Sequence, residues 1–238
     1  MSSLEYDLRD LVIANRILSD QGVADVFGHV TLRHPDRPDR FFMSKSKSPG
    51  SVTIDDLIEF DLDCNPIDQN GRRMYAERAI HGGIYRARPD VMSVCHHHSP
   101  AVIPFGITDV PLRPVFHVGA VIGSRPPVWD IAREFGDTNL LVTTREQGDS
   151  LAKALGDLSA ILMRGHGATV ASASLRRTIF ISVFMQKNAE LQTIAHGFGN
   201  VQYLTDGEVQ ASNELHFSSL PMDRAWNEWC ERAGFGGI

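Results

Sequence analysis

Three histidines stand in a row at Cys95-His96-His97-His98, at the end of a short apolar run. Side chains on a strand alternate between faces, so His96 and His98 point one way and His97 the other. A His-x-His pair at a strand end is a two-point grip for a divalent metal. A third ligand has to come from elsewhere. His166 is the best candidate, because it lies between Gly165 and Gly167 just after a second buried-strand pattern, and glycines let backbone and imidazole approach a ligand closely. Glu77 is the fourth member. On a helix over 75–88 it shares a face with His81 at i, i+4. A carboxylate beside a cation either ligates it or moves protons once a substrate arrives. Taken singly, these residues have plainer readings: a lone strand histidine is usually a satisfied core residue, and a lone glutamate an exposed helix charge.

The elements that must position these groups follow from periodicity. Residues 4–20 place Leu4, Leu8, Leu11, Val12 and Leu18 on one stripe and predict an amphipathic helix, which Gly22 stops. Residues 27–33 and 40–43 alternate as strands, and 53–62 reads as a capped turn leading into another. The segment 75–88 has a helical period that Gly82-Gly83 weakens. Residues 91–98 and 160–163 are short buried strands, with 164–167 as a loop. Ser99-Pro100 reads as the N-cap and first turn of a helix. Further helices are expected over 150–155, 175–195 and 222–233. The apolar run 179–185 suits either the core or a partner subunit. Helices alternating with strands predict an α/β fold, a three-layer domain around a mixed sheet.

Composition narrows the class. With 238 residues and 42% hydrophobic content, the chain can bury a full core, and no stretch reads as a linker, so one domain over 1–238 is expected. The formal net charge is -6 and no Lys/Arg cluster exceeds a pair, which speaks against a nucleic-acid partner. Three cysteines without C-x-x-C spacing read as free thiols in a reducing compartment. The amphipathic start is not a signal peptide, and no apolar run approaches the ~18 residues that cross a bilayer. The expectation is a soluble cytoplasmic protein with no membrane partner.

The segment ERAIHGGIYRARPDVMSVCHHHSP from Glu77 to Pro100, followed by Arg164-Gly165-His166-Gly167, resembles the class II aldolase/adducin family. That resemblance implies a three-layer α/β/α fold and usually a homotetramer with active sites at subunit interfaces. It also implies a divalent metal on His96, His98 and His166, and Glu77 as the catalytic acid–base. Sugar-phosphate aldolases of the family carry a Gly-Asn pair, a T-x-T-G-like loop and two small hydroxyl residues before the Glu. Here the matching stretches are Gly28-His29, SKSKSPG over 44–50, and Tyr75-Ala76, which argues against a phosphorylated sugar. GHVTLRHP, ERAIHG, HSPAVIPF, PLRP and the closing Ala225-Trp226-Asn227-Glu228-Trp229 resemble decarboxylases of dihydroxyphthalate or hydroxypyridine dicarboxylates. Relatives with similar motifs include iron-dependent oxygenases. The adducin domains lack the metal histidines that are all present here.

The expected function is therefore a metal-dependent, non-oxidative decarboxylase of a hydroxylated aromatic or pyridine (di)carboxylate. The cation polarises a substrate hydroxyl towards its keto form, which takes up the electron pair left as CO2 departs, and Glu77 moves the protons. Aldol cleavage of an unphosphorylated hydroxy-aldehyde or hydroxy-ketone needs the same metal-stabilised enolate and is the alternative, with Fe(II) oxygenation as another. Three imidazoles suit Mn, Zn, Fe or Co, and the decarboxylase resemblance favours Mn or Zn. His81 is a candidate to orient Glu77 or touch substrate, or to act from behind the site. His29 is a candidate carboxylate contact or a structural residue. Ser46, Lys47 and Ser48 read as an anion-binding loop or a solvated one. Arg113 and His117 are further candidates of that kind, and Tyr203 a candidate to reach a neighbouring subunit's site. His97 and Cys95 are assigned to packing.

Overall fold

The computed structural model describes residues 3–236. α1 (Ser3–Asp20) buries Leu11, Val12 and Leu18 of its predicted stripe, leaves Leu4 and Leu8 half-buried, and ends where Gly22 turns the chain at φ +66°. Then come β1 (His29–Arg33), β2 (Arg40–Ser44), β3 (Leu57–Asp61), α2 (Arg78–Ala87), β4 (Ser93–His97) and the single-turn α3 (Ile103–Gly106). β5 (Val128–Trp129), the short α4 (Ala132–Phe135), α5 (Arg145–Leu155), β6 (Ala160–Met163) and β7 (Gly167–Ser172) follow. α6 (Leu175–Phe198), α7 (Asp206–His216) and α8 (Ser219–Cys230) close the chain, with one π-type turn at Glu231–Phe235.

Among the described residues the strands form one seven-stranded sheet in the order β3-β2-β1-β4-β7-β6-β5. Neighbours run antiparallel except β5 and β6, which are parallel, so the sheet is mixed. β1, β4, β6 and β7 are buried along their whole length, which requires cover on both faces. α1, α6 and α8 supply it on one face, with Leu11, Ile17, Ile179, Met185, Trp226 and Trp229. α2 and α5 supply it on the other, with Ile80, Ile84, Tyr85 and Leu151. The result is the expected three-layer α/β/α arrangement. The apolar run 179–185 sends Ile179, Ile181, Val183 and Met185 into the core of this chain.

Strand alternation places the chemistry. Val30, Cys95 and Val170 pack on the α1/α6 side, whereas Val94 and Ala171 pack on the α2/α5 side. His29, Thr31, His96 and Thr169 therefore face α2 and α5. The register sets His29 opposite His96, and His96 opposite Thr169.

Several elements differ from the periodicity reading. α2 begins at Arg78, so Glu77 precedes the helix and does not share its face with His81. Gly83 does not weaken α2 idly: it meets the Gly148 backbone of α5, where a Cβ would collide, so the glycines permit a close helix crossing. α5 starts five residues earlier than expected, capped by Thr144, whose hydroxyl accepts from the Gln147 N–H. The helix after Ser99-Pro100 starts only at Ile103, because the Ser99 hydroxyl donates to Gln186 instead of capping. β1 starts at His29 because Phe27 and Gly28 are held in a turn by Asp25. The periodicity reading contains no element at β5, α4, β7 or α7. No described helix is long and apolar enough to cross a membrane.

Candidate metal centre

Four side chains converge at one end of the sheet. His96 is next to last in β4, His98 follows the strand, and His166 sits in the β6–β7 turn where Gly165 adopts φ +65°. Gly167 lets that turn approach: a Cβ there would strike the His97 carbonyl. One ligating atom from each of Glu77, His96, His98 and His166 falls within 4.8 Å of all the others. His96 Nε2 lies 3.0 Å from His98 Nε2. Glu77 Oε2 lies 3.5 Å from His166 Nε2 and 3.9 Å from His96 Nε2.

Hydrogen bonds to the far side of each ring decide what those atoms are. His98 Nδ1 faces the Asp25 carboxylate at 3.1 Å, so the proton sits on Nδ1, and in that neutral tautomer Nε2 is the free ligating atom. The Thr169 hydroxyl lies 3.3 Å from both Met163 Sδ and His96 Nδ1, and while it donates to the sulfur it accepts from Nδ1–H. His96 Nε2 is then a lone pair too. Two lone pairs 3.0 Å apart repel unless a cation lies between them. Burial foremost, with His166 and the other neighbouring histidines, holds His96 well below the usual imidazole range. Both nitrogens of His166 are buried without a hydrogen-bond partner, a costly state unless a ligand satisfies one. This donor set fits a divalent cation on three imidazoles with a carboxylate alongside.

Glu77 divides its oxygens. Oε1 accepts the Val142 N–H at 3.0 Å, and Oε2 is turned towards the imidazoles. Val142 is two residues beyond Leu140, a non-glycine residue at φ +66°. A leucine held there stores about 1–3 kcal/mol of strain in the segment that anchors the carboxylate.

Behind His96 runs a second, fully buried group. His29 Nδ1 and His81 Nε2 are 2.7 Å apart, His81 Nδ1 and Thr31 Oγ1 2.8 Å, and Thr31 Oγ1 and the Tyr85 hydroxyl 2.8 Å. Burial pushes His81 down to about 3 and His29 well below its ordinary value. Neutral His81 thus bridges α2 to β1 and does not touch Glu77. His29 packs between Tyr75 and His96, with ring centroids 4.7 and 5.1 Å away.

A cleft of about 840 Å³ opens over the cluster. Its walls include Phe27, Tyr75, Leu140 and Leu141, with Glu77, His98 and His166 at the floor. Ser46, Lys47 and Ser48 line it as well. Lys47 Nζ is held 2.7 Å from Asp56, which also binds Lys45, so the loop is fastened and not free. Arg113, His117 and Tyr203 do not line this cleft. Arg113 stacks on the Tyr203 ring at 4.4 Å, the Tyr203 hydroxyl meets His196, and His117 pairs with His216 at 2.9 Å. Three contributors escaped the sequence reading: Asp25, Thr169 and Val142. Only Asp25 had a signal, an Asp three residues before a glycine, which marks a side-chain-closed turn.

Comparison with known proteins gives the family and the fold. The Class II Aldolase and Adducin N-terminal domain family matches residues 9–193. Decarboxylase tropJ of Talaromyces stipitatus is 31% identical over 255 aligned positions, covering 97% of this chain and 95% of that protein. The 3,4-dihydroxyphthalate decarboxylase of Arthrobacter keyseri is 26% identical over 228, covering 91% and 89%. The crystal structure of an aldolase II superfamily protein from Pseudomonas syringae superposes with a TM-score of 0.82 over 100% of this chain and 96% of that one, at 20% identity, which speaks for the fold alone.

Proposed function

The chain belongs to the class II aldolase and adducin family, and from that premise we propose that it is a metal-dependent, non-oxidative decarboxylase of a hydroxylated aromatic or pyridine (di)carboxylate. The family and the two relatives named decarboxylases support a lyase of decarboxylase or aldolase type. The observation that carries the finer reading is the cleft wall. Phe27, Tyr75, Leu140 and Leu141 offer apolar surface suited to a flat ring, directly above the imidazoles and Glu77.

His96, His98 and His166 are the proposed ligands, for Mn or Zn ahead of Fe or Co. A divalent cation there supplies Lewis acidity to the substrate's hydroxyl and carboxylate oxygens. Glu77 carries the proton. Its Oε1 accepts the Val142 N–H, which supports the reading that Oε2 takes the proton from the hydroxyl and returns it to the ring carbon that CO2 leaves. Leu140, Leu141 and Phe27 exclude water from that carbon. Lys47, with Ser46 and Ser48, is the polar edge for a second carboxylate. His81 and His29 act from behind, holding β1, β4 and α2 together. The proposed assembly, which rests on the family, is a homotetramer, and contact between copies would cover exposed apolar residues such as Ile194, Phe198, Leu215 and Leu220. Tyr203 is then the candidate to reach a neighbour's site.

The test is CO2 release from a panel of hydroxylated benzene and pyridine dicarboxylates, using metal-stripped protein with Mn, Zn, Fe or Co restored under nitrogen. Metal-dependent CO2 without oxygen is expected. Silence across the panel, with cleavage of hydroxy-aldehydes or hydroxy-ketones, would give the site to aldol chemistry. Activity only in air, and only with Fe, would make it an oxygenase.

A further inference from the structure

One carboxylate joins the metal centre to the rim of the cleft. Asp25 Oδ1 accepts the N–H of Phe27 at 2.9 Å and of Gly28 at 3.0 Å, while Oδ2 faces His98 Nδ1 at 3.1 Å. The turn is also pressed against the ligand strand: a Cβ on Gly28 would lie 3.3 Å from the His96 carbonyl and 2.7 Å from the Ala24 Cβ. These ties hold Val26 and Phe27 in the cleft wall although they are 59% and 66% exposed. Little packing fixes the Phe27 ring. Its place is set by the backbone turn, and the turn by Asp25.

We infer that Asp25 is a positioning residue that couples ligation at His98 to the cleft rim, and that Phe27 is the specificity-determining contact for the face of a planar substrate ring. The coupling has a direct cause. Ligation at Nε2 draws electron density from the imidazole and makes Nδ1–H a better donor, so the Asp25 bond tightens. The same carboxylate then holds the turn that carries Phe27. A ring seated against Phe27 covers apolar surface otherwise left in water and gains offset or edge-to-face contact. The planar-ring assignment rests on the decarboxylase reading, whereas the coupling does not.

The test uses full-length protein and no turnover. Asp25→Asn keeps an oxygen for the Phe27 and Gly28 N–H groups but loses the carboxylate for His98. Its Mn or Zn affinity, measured by chelator competition, should fall roughly 10- to 100-fold. Phe27→Trp adds a rim reporter to the native Trp129, Trp226 and Trp229, all buried. Its emission should shift on metal addition, and that shift should vanish when Asp25→Asn is added. On metal-loaded protein, Phe27→Ala should weaken calorimetric binding of salicylate roughly 3- to 10-fold. It should leave 2-hydroxycyclohexanecarboxylate, which has the same donor groups and no flat ring, unchanged. Unaltered metal affinity in Asp25→Asn, or a metal shift that survives that change, would overturn the coupling. Equal loss or retention of both acids would overturn the ring contact, as would a fall in oligomer mass for Phe27→Ala, which would give the rim to a second copy. Failure of the decarboxylase reading shows separately, as absence of CO2 with these binding differences intact.

Discussion

Two groups of histidines sit one strand apart on the same face of the sheet, bonded in opposite ways. His29 and His81 join Thr31 and Tyr85 in a chain where each inner atom meets a partner at 2.7–2.8 Å. On their outer sides His96 and His98 meet Thr169 and Asp25, and their Nε2 atoms face each other at 3.0 Å. Their inner nitrogens converge with a partnerless His166 and one oxygen of Glu77. A satisfied polar chain spends its lone pairs on holding elements together. A convergent set of unspent lone pairs is a ligand set. Both groups are rich in buried imidazole, so burial and residue type do not tell them apart, whereas the direction of the lone pairs does.

The largest expected effect separates the groups outright. His96→Ala should abolish metal retention and bring turnover below detection, and undiminished metal in that variant would sink the ligand assignment. Glu77→Gln should retain metal yet lower kcat by about 10²- to 10⁴-fold, the usual worth of a proton carrier. A fully active Glu77→Gln enzyme would move that role to another residue. In the satisfied group the effect should fall on stability. Thr31→Val leaves the His81 Nδ1 and Tyr85 hydroxyl without their partner and should cost about 1–3 kcal/mol in denaturant unfolding, with metal stoichiometry unchanged. Loss of metal without loss of stability would erase the contrast. A further effect is in pH. His81 is depressed in the fold to about 3 from 6.5, so the unfolded chain binds the extra proton between those values. Its contribution to stability is present above about pH 6.5 and lost as pH falls towards 3. The melting-temperature gap between wild type and His81→Asn should therefore narrow on acidification, and a constant gap would mean that His81 does not titrate this way.

How far the sequence carried differs between the two groups for a physical reason. His96 and His98 share a face by strand alternation, and the glycines around His166 announce a close approach, so convergence was legible. Glu77 was legible as a member but misplaced: helical period runs on to Tyr75, while the chain enters α2 only at Arg78. The link between His29 and His81 is a tertiary contact across 52 residues, and no local pattern encodes it. Val142 contributes a backbone N–H, which leaves no trace in side-chain type. The α/β layering followed from alternating periods. β7 was missed because GATVAS is made of small residues with little apolar contrast, although a helix cap at Thr144 and a turn at Asp25 could have been read from their spacing.

The most direct test of the central claim is the metal content per chain of wild type, His166→Ala and His81→Asn, measured side by side after loading with Mn or Zn and desalting. The account predicts one ion in wild type and in His81→Asn and none in His166→Ala. Equal retention in all three, or loss with His81→Asn alone, would contradict it.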